Sequence, residues 1–155
     1  MDYNTISCFC SVAGQTGAVN ADAKEKIHAA AGERFKDGYR RFLIALTGEA
    51  TLLFAEAALS FREQYPDMGI DILIPFDGWL DEQPDSARYK GITALAESVN
   101  FSCPDEYEDS VEICNTQLIG FGRCTVVIHD DGDEAMIILA AETREAEQDV
   151  MEILI

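Results

Sequence analysis

Three continuous apolar runs of strand length set the strongest constraint on this chain: Arg41–Leu46 (RFLIAL), Ile70–Ile74 (IDILI) and Cys124–His129 (CTVVIH). Runs without regular polar alternation are expected of strands buried on both faces, as in a parallel sheet covered by helices. The segments between them carry helical periodicity. Asn20 or Asp22 is placed to cap a helix over Ala21–Phe35, with Ile27, Ala30, Ala31 and Phe35 on one stripe and Asp37-Gly38 as its stop. Ala50–Tyr65 reads as a second helix ending before Pro66, and Ser86–Val99 as a third. Ile6–Val12 reads as the first strand, followed by a turn at Ala13–Gly17. Asn100–Cys103 reads as a short strand, Ser110–Phe121 and Glu134–Glu147 as helices, and Val150–Ile155 as the last strand. Strands alternating with helices through short loops predict an α/β fold: one Rossmann-like domain over 1–155, with a mostly parallel sheet and helices on both faces.

With 155 residues the chain has the length to bury a core, and 48% hydrophobic against 26% charged residues is a globular balance. No apolar run approaches a membrane span, and no basic region precedes the first apolar stretch. A soluble, cytoplasmic protein without a cleaved leader is therefore expected. Five scattered cysteines do not form a disulfide framework, and Cys8 and Cys10, two apart, would share a strand face as reduced, buried residues. No second ligand pair suggests zinc; His28 and His129 stand alone, and His129 reads as a packed or capping residue.

Charge is distributed unevenly. The chain carries 29 acids against 11 bases, net −18. Residues 1–50 are neutral, with six acids and six bases; residues 51–100 carry nine and three, and residues 101–155 carry fourteen and two. Such a field disfavours direct binding to nucleic acid or anionic membranes and favours basic proteins.

One stretch resembles a known family. AEAALSFREQYPD (Ala55–Asp67), ILIPF (Ile72–Phe76) and RYKGITALAESV (Arg88–Val99) are similar in order and spacing to the YpsA-like branch of the SLOG superfamily, which includes the DprA/Smf proteins and the LOG nucleotide hydrolases. The acid-and-tyrosine loop at Asp105–Asp109 and the helical Asn115 extend the likeness, which covers roughly Phe35 to Glu147. The resemblance implies a Rossmann-like fold with nucleotide-type ligands held by glycine loops at the carboxyl ends of the strands, where backbone N–H groups cradle phosphate. The chain departs from that pattern. The family's Gly-Gly pair falls on Ala45 and Leu46, and its helix-leading acid falls on Thr51. The basic residue before the helical asparagine is Cys114, and the following acid falls near Gly120. The later phosphate loop falls on Asp130–Met136 (DDGDEAM), where acids beside a phosphate are repulsive.

The expected function is accordingly a non-catalytic acidic interaction protein on a degenerate scaffold. In its sharpest form it is an inhibitor of the kind carried by phages or mobile elements, imitating phosphates in the basic groove of a nucleic-acid-binding protein or nuclease. Its expected surface comprises Asp105, Glu106, Glu108, Asp109, Asp130, Asp131, Asp133 and Glu134, with Trp79 as either a recognition aromatic or a cover over the sheet. The alternative is a sensor of a nucleotide-derived ligand, with a remnant pocket of Gly14, Gly17, Gly48, Glu49, Arg88 and Asn115 and with Arg88 or Arg123 as the anion contact. Catalysis is the third class. Glu49, Asp130 and Asp131 are reasonably placed for a general base, but no P-loop, nucleophile elbow or histidine motif accompanies them. Asp130-Asp131-Gly132-Asp133 offers hard oxygen ligands without the glutamate and spacing of a calcium loop, so no metal and no cofactor is expected. The final strand, Met151–Ile155, is a candidate edge for pairing with a second copy.

Overall fold

The computed structural model describes residues 9–118, 121–146 and 149–155. Six strands lie in one all-parallel sheet of order β4-β3-β2-β1-β5-β6. They are β1 (Phe9–Gly14), β2 (Arg41–Ala45), β3 (Gly69–Ile74), β4 (Ser98–Phe101), β5 (Cys124–His129) and β6 (Asp149–Leu154). The helices are α1 (Ala21–Lys36), α2 (Glu49–Ser60), α3 (Ser86–Leu95), α4 (Ser110–Thr116) and α5 (Glu134–Glu145). This is the α/β, Rossmann-like architecture expected of buried apolar strands. No helix of the described residues is long and apolar enough to cross a membrane.

Topology follows from the handedness of crossovers. The chain moves outward from β1 to β4, then returns to lay β5 on the other side of β1. Crossovers of one hand put helices on one face while the chain moves one way and on the opposite face after it turns back. The core divides accordingly. Cys10, Val12, Phe42, Ile44, Ile72, Val126 and Ile128 pack under α1, α2 and α3 through Ile27, Phe35, Phe54 and Ile92. Ala13, Ala45 and Val127 pack under α4 and α5 through Cys114, Met136, Leu139 and Ala140. The reversal also opens a crevice beyond the carboxyl ends of β1 and β5, the place where this architecture receives ligands.

Side-chain caps fix the starts of two helices. Asn20 caps α1, its side chain accepting from Ala23 N at 2.8 Å. Asp133 caps α5 by accepting from Met136 N at 3.1 Å. Three helices are shorter than their apolar spacing implies. α2 stops at Ser60, and Phe61–Gln64 continue as turns. α4 stops at Thr116; Ile119 and Gly120 lie outside the described residues, as do Glu147, Ile6 and Cys8.

The largest correction is α3, which ends at Leu95 rather than Val99. Ala96 turns extended, Glu97 N donates to Ile70 O at 2.8 Å, and β4 begins at Ser98 with Val99 opposite Ile72. Leu95 and Val99 are exposed, so they form no buried helix stripe. β6 is the opposite edge of the sheet, with Leu154 exposed.

Candidate functional site

Gly14 and Gln15 leave β1 at the topological switch and form the floor of the crevice with Asn115 of α4. Three hydrogen bonds of 3.4 Å tie this floor together. The single Thr47 Oγ1 proton is shared between Gly14 O and Asn115 Oδ1, and Asn115 Nδ2 donates to Gly14 O. Gln15 is fixed from both ends: its N–H donates to Ile128 O, and its Oε1 accepts from Asp130 N at 2.6 Å. Glu108, Asp109, Val111 and Glu112 form one wall at α4. Asp133, Ala135 and Met136 form the other at the start of α5, around a volume of about 750 Å³.

Among the described residues, four carboxylates and no Lys, Arg or His line this space. In nucleotide-binding proteins of this architecture, the N–H groups at a helix start point at phosphate. Here the protein's own carboxylates take such groups. Asp133 accepts from the first turn of α5, and Asp130 Oδ1 accepts from Gly132 N at 2.8 Å. An anion entering the crevice meets negative charge from both walls.

The residues expected from sequence therefore sort into groups. Glu108, Asp109 and Asp133 face one another across the crevice, joined by Gly14 and Asn115. Glu112, which sequence reasoning missed, completes the acidic lining. Asp105, Glu106, Asp131 and Glu134 are exposed nearby without lining it, and Gly17 is exposed in the loop after β1. Trp79 does not belong to an accessible surface. It is buried in a 3₁₀ turn with its ring edge-on to Tyr89 at 5.3 Å, so it covers the sheet and offers no recognition face.

Glu49 and Arg88 also leave the site. They line a second cleft of about 540 Å³ between α1, α2 and α3, with Lys24, His28 and Glu56. There Arg88 pairs with Glu49 at 3.0 Å, with Asp85 at 3.3 Å and with Glu56. The hydrogen bond with Glu56, opposed by partial burial and reinforced by Glu49, raises its affinity for its proton. With three carboxylates around it, Arg88 has little charge left for an anion. Arg123 precedes β5 at the opposite end of the sheet from the crevice, its N–H donating to Phe9 O.

His129 is buried at the end of β5 with a partner for each ring nitrogen: Nδ1 lies 2.6 Å from Asp130 O and Nε2 lies 3.0 Å from Glu152 Oε2. Glu152 also pairs with Arg144 of α5. The hydrogen bond from His129, then those from Arg144, hold the Glu152 carboxyl below its ordinary value of 4.5. A depressed folded value means the contribution to stability is complete above that ordinary value. It is lost as pH falls through the folded one. Thermal melts of Glu152→Gln and the parent are expected to differ at neutral pH, with the difference narrowing below about pH 4. A gap that stays constant across that range would show that the carboxylate carries no such linkage.

Comparison with protein-family models finds no match, and neither does comparison with curated proteins.

Proposed function

We propose that this chain is a non-catalytic acidic interaction protein that receives a basic partner at the crevice beyond β1 and β5. One observation carries the reading: the ligand position of the fold is walled by Glu108, Asp109, Glu112 and Asp133, with no base among its described lining residues. A net charge of −18 adds a long-range field of the same sign, which steers a cationic surface toward it. Val111, Ala135 and Met136 between the acids add apolar contact area. The partner class that fits best is a protein whose own groove binds nucleic-acid phosphates, because guanidinium groups that pair with phosphate pair equally with carboxylate. The SLOG resemblance belongs to this proposal as the origin of the scaffold, with its phosphate-binding function lost.

The test is a pull-down from host lysate with the parent and with Asp109→Asn/Glu112→Gln/Asp133→Asn. Asn at 133 retains helix-capping ability, so the fold is expected to survive. The parent is expected to capture a basic protein that added salt releases and that DNA competes away. The triple variant is expected to bind it at least about tenfold more weakly, the equivalent of about 1.4 kcal/mol. Equal capture by the variant would move the interface away from the crevice. Thermal stabilisation of the parent by nucleotides would instead favour the sensor reading, since a ligand at 100 times its Kd adds about 2.7 kcal/mol.

A further inference from the structure

At the other end of the sheet, Cys10 and Cys124 are register neighbours on the adjacent strands β1 and β5. Both side chains belong to the face covered by α1 and α2, and both residues are buried. Neighbouring strands lie about 4.8 Å apart, inside the roughly 4.4–6.8 Å that disulfide Cα atoms span. The Cys10 thiol donates to Ser11 O at 3.8 Å. Arg34, in the last turn of α1, brings Nη1 to 3.6 Å from Cys124 Sγ.

The rest of that guanidinium is informative. Its Nη2 is paired with Asp37 at 2.6 Å, while its Nε is buried with no acceptor among the described residues. A neutral thiol is a weak acceptor for a half-buried cation; a thiolate is a strong one. Cys103 and Cys114 present a contrast. Cys114 donates to Leu73 O, and burial, with Cys103 adding a little, pushes its thiol up to about 12.

We propose that Cys10 and Cys124 are a redox-active dithiol that a hydroperoxide closes to a cross-strand disulfide, with Arg34 as the positioning residue. Cys124 is the attacking sulfur. The adjacent Cys10 thiol and the nearby charge of Arg34 outweigh burial and bring Cys124 down to about 7, whereas burial pushes Cys10 up. The Cys124 thiolate attacks one peroxide oxygen, forming an S–O bond as the O–O bond breaks. The departing alkoxide takes a proton and leaves as an alcohol, or as water when the oxidant is hydrogen peroxide. Cys10 sulfur then attacks the Cys124 sulfenic acid, and its proton leaves with the hydroxyl as water. Two thiols lose two electrons and two protons, and the peroxide is reduced. Arg34, which lies against Cys124 Sγ, keeps 15% of its side chain exposed. The dithiol lies away from the acidic crevice, so it stands or falls independently of the proposed docking function.

The experiment is limited oxidation of the folded protein with hydrogen peroxide, followed by alkylation in denaturant and peptide mapping. A Cys10–Cys124 cross-link is expected to form before any other cysteine reacts, with a rate that rises through about pH 7. Cys10→Ser is expected to stop at a dimedone-reactive sulfenic acid on Cys124. Arg34→Met is expected to slow the reaction about tenfold and move its pH midpoint upward, with Arg34→Lys restoring part of both. First oxidation at Cys8, Cys103 or Cys114, or no cross-link in the folded parent, would overturn the dithiol. An unchanged rate and pH profile in folded Arg34→Met would overturn the role of Arg34. The map of the parent protein is decisive even if an Arg34 variant fails to fold.

Discussion

Replacing Arg41 with methionine is expected to destabilise the protein by about 3 kcal/mol, because it strands a charge inside the sheet. Asp71 lies within β3 and is buried, yet it is held on both sides. Its Oδ2 accepts from Arg41 Nη2 at 2.7 Å and Nε at 3.2 Å, and its Oδ1 accepts from Ser98 Oγ at 2.7 Å. One carboxylate thus joins β2, β3 and β4. Removing the guanidinium leaves Ser98 as the sole side-chain partner among the described residues for a largely buried ion. Arg41 is one-third exposed, which places the cost at the low end of the range for breaking buried pairs. Removing the carboxylate as well, as Arg41→Met/Asp71→Leu, is expected to recover most of the loss, since an apolar pair of similar volume needs no solvation. Urea titrations of the parent, both single variants and the double variant measure this directly, with unchanged m values showing that the folded state is intact. A loss below about 1 kcal/mol for Arg41→Met would show that solvent screens the pair as it does surface bridges.

That pair also shows where sequence reading stops. Ile70–Ile74 is legible as a buried strand because its apolar residues dominate any short window, and an aspartate inside it does not change the period. Its partner, Arg41, comes from a different strand, and only the β2–β3 register brings them together. The same reason hid the Cys10–Cys124 neighbourhood, which depends on β5 returning beside β1. β3 and β5 were readable because burial on both faces leaves little choice of residue. β4 was not. As an edge strand it exposes Val99 and Phe101, and Tyr89, Ile92, Leu95 and Val99 continue a helical spacing across a real boundary. At the crevice, the acids of both loops were visible as composition. Glu112 was hidden inside a helix pattern, and the opposition of Asp133 to α4 is a product of topology. Trp79 was ambiguous because loop composition does not report burial; Tyr89 packed against it supplies the answer.

Gly48→Ala is expected to cost about 2–3 kcal/mol, the scale of forcing a methyl group into packed surroundings. Gly17→Ala, in the adjoining loop, is expected to change stability by less than about 0.5 kcal/mol. A Cβ on Gly48 would stand 2.8 Å from both Thr16 Cα and Thr16 O, backbone atoms that cannot rotate aside. Its φ of 172° is ordinary extended geometry, so the penalty is contact and not torsion. A Cβ on Gly17 meets nothing within 4 Å. Glycine at 48 therefore lets the loop after β2 press against the loop after β1, closing space that an anion would need. In a working phosphate loop the effects would divide differently: the glycine substitution would spare stability and remove ligand binding, because the absent side chain makes room for the ligand. Denaturation of the two variants separates the cases. A costly Gly48→Ala beside a silent Gly17→Ala identifies two packed loops. A Gly48→Ala variant as stable as its parent would mean that the loops separate readily, and the space between them would again be open to a small anion.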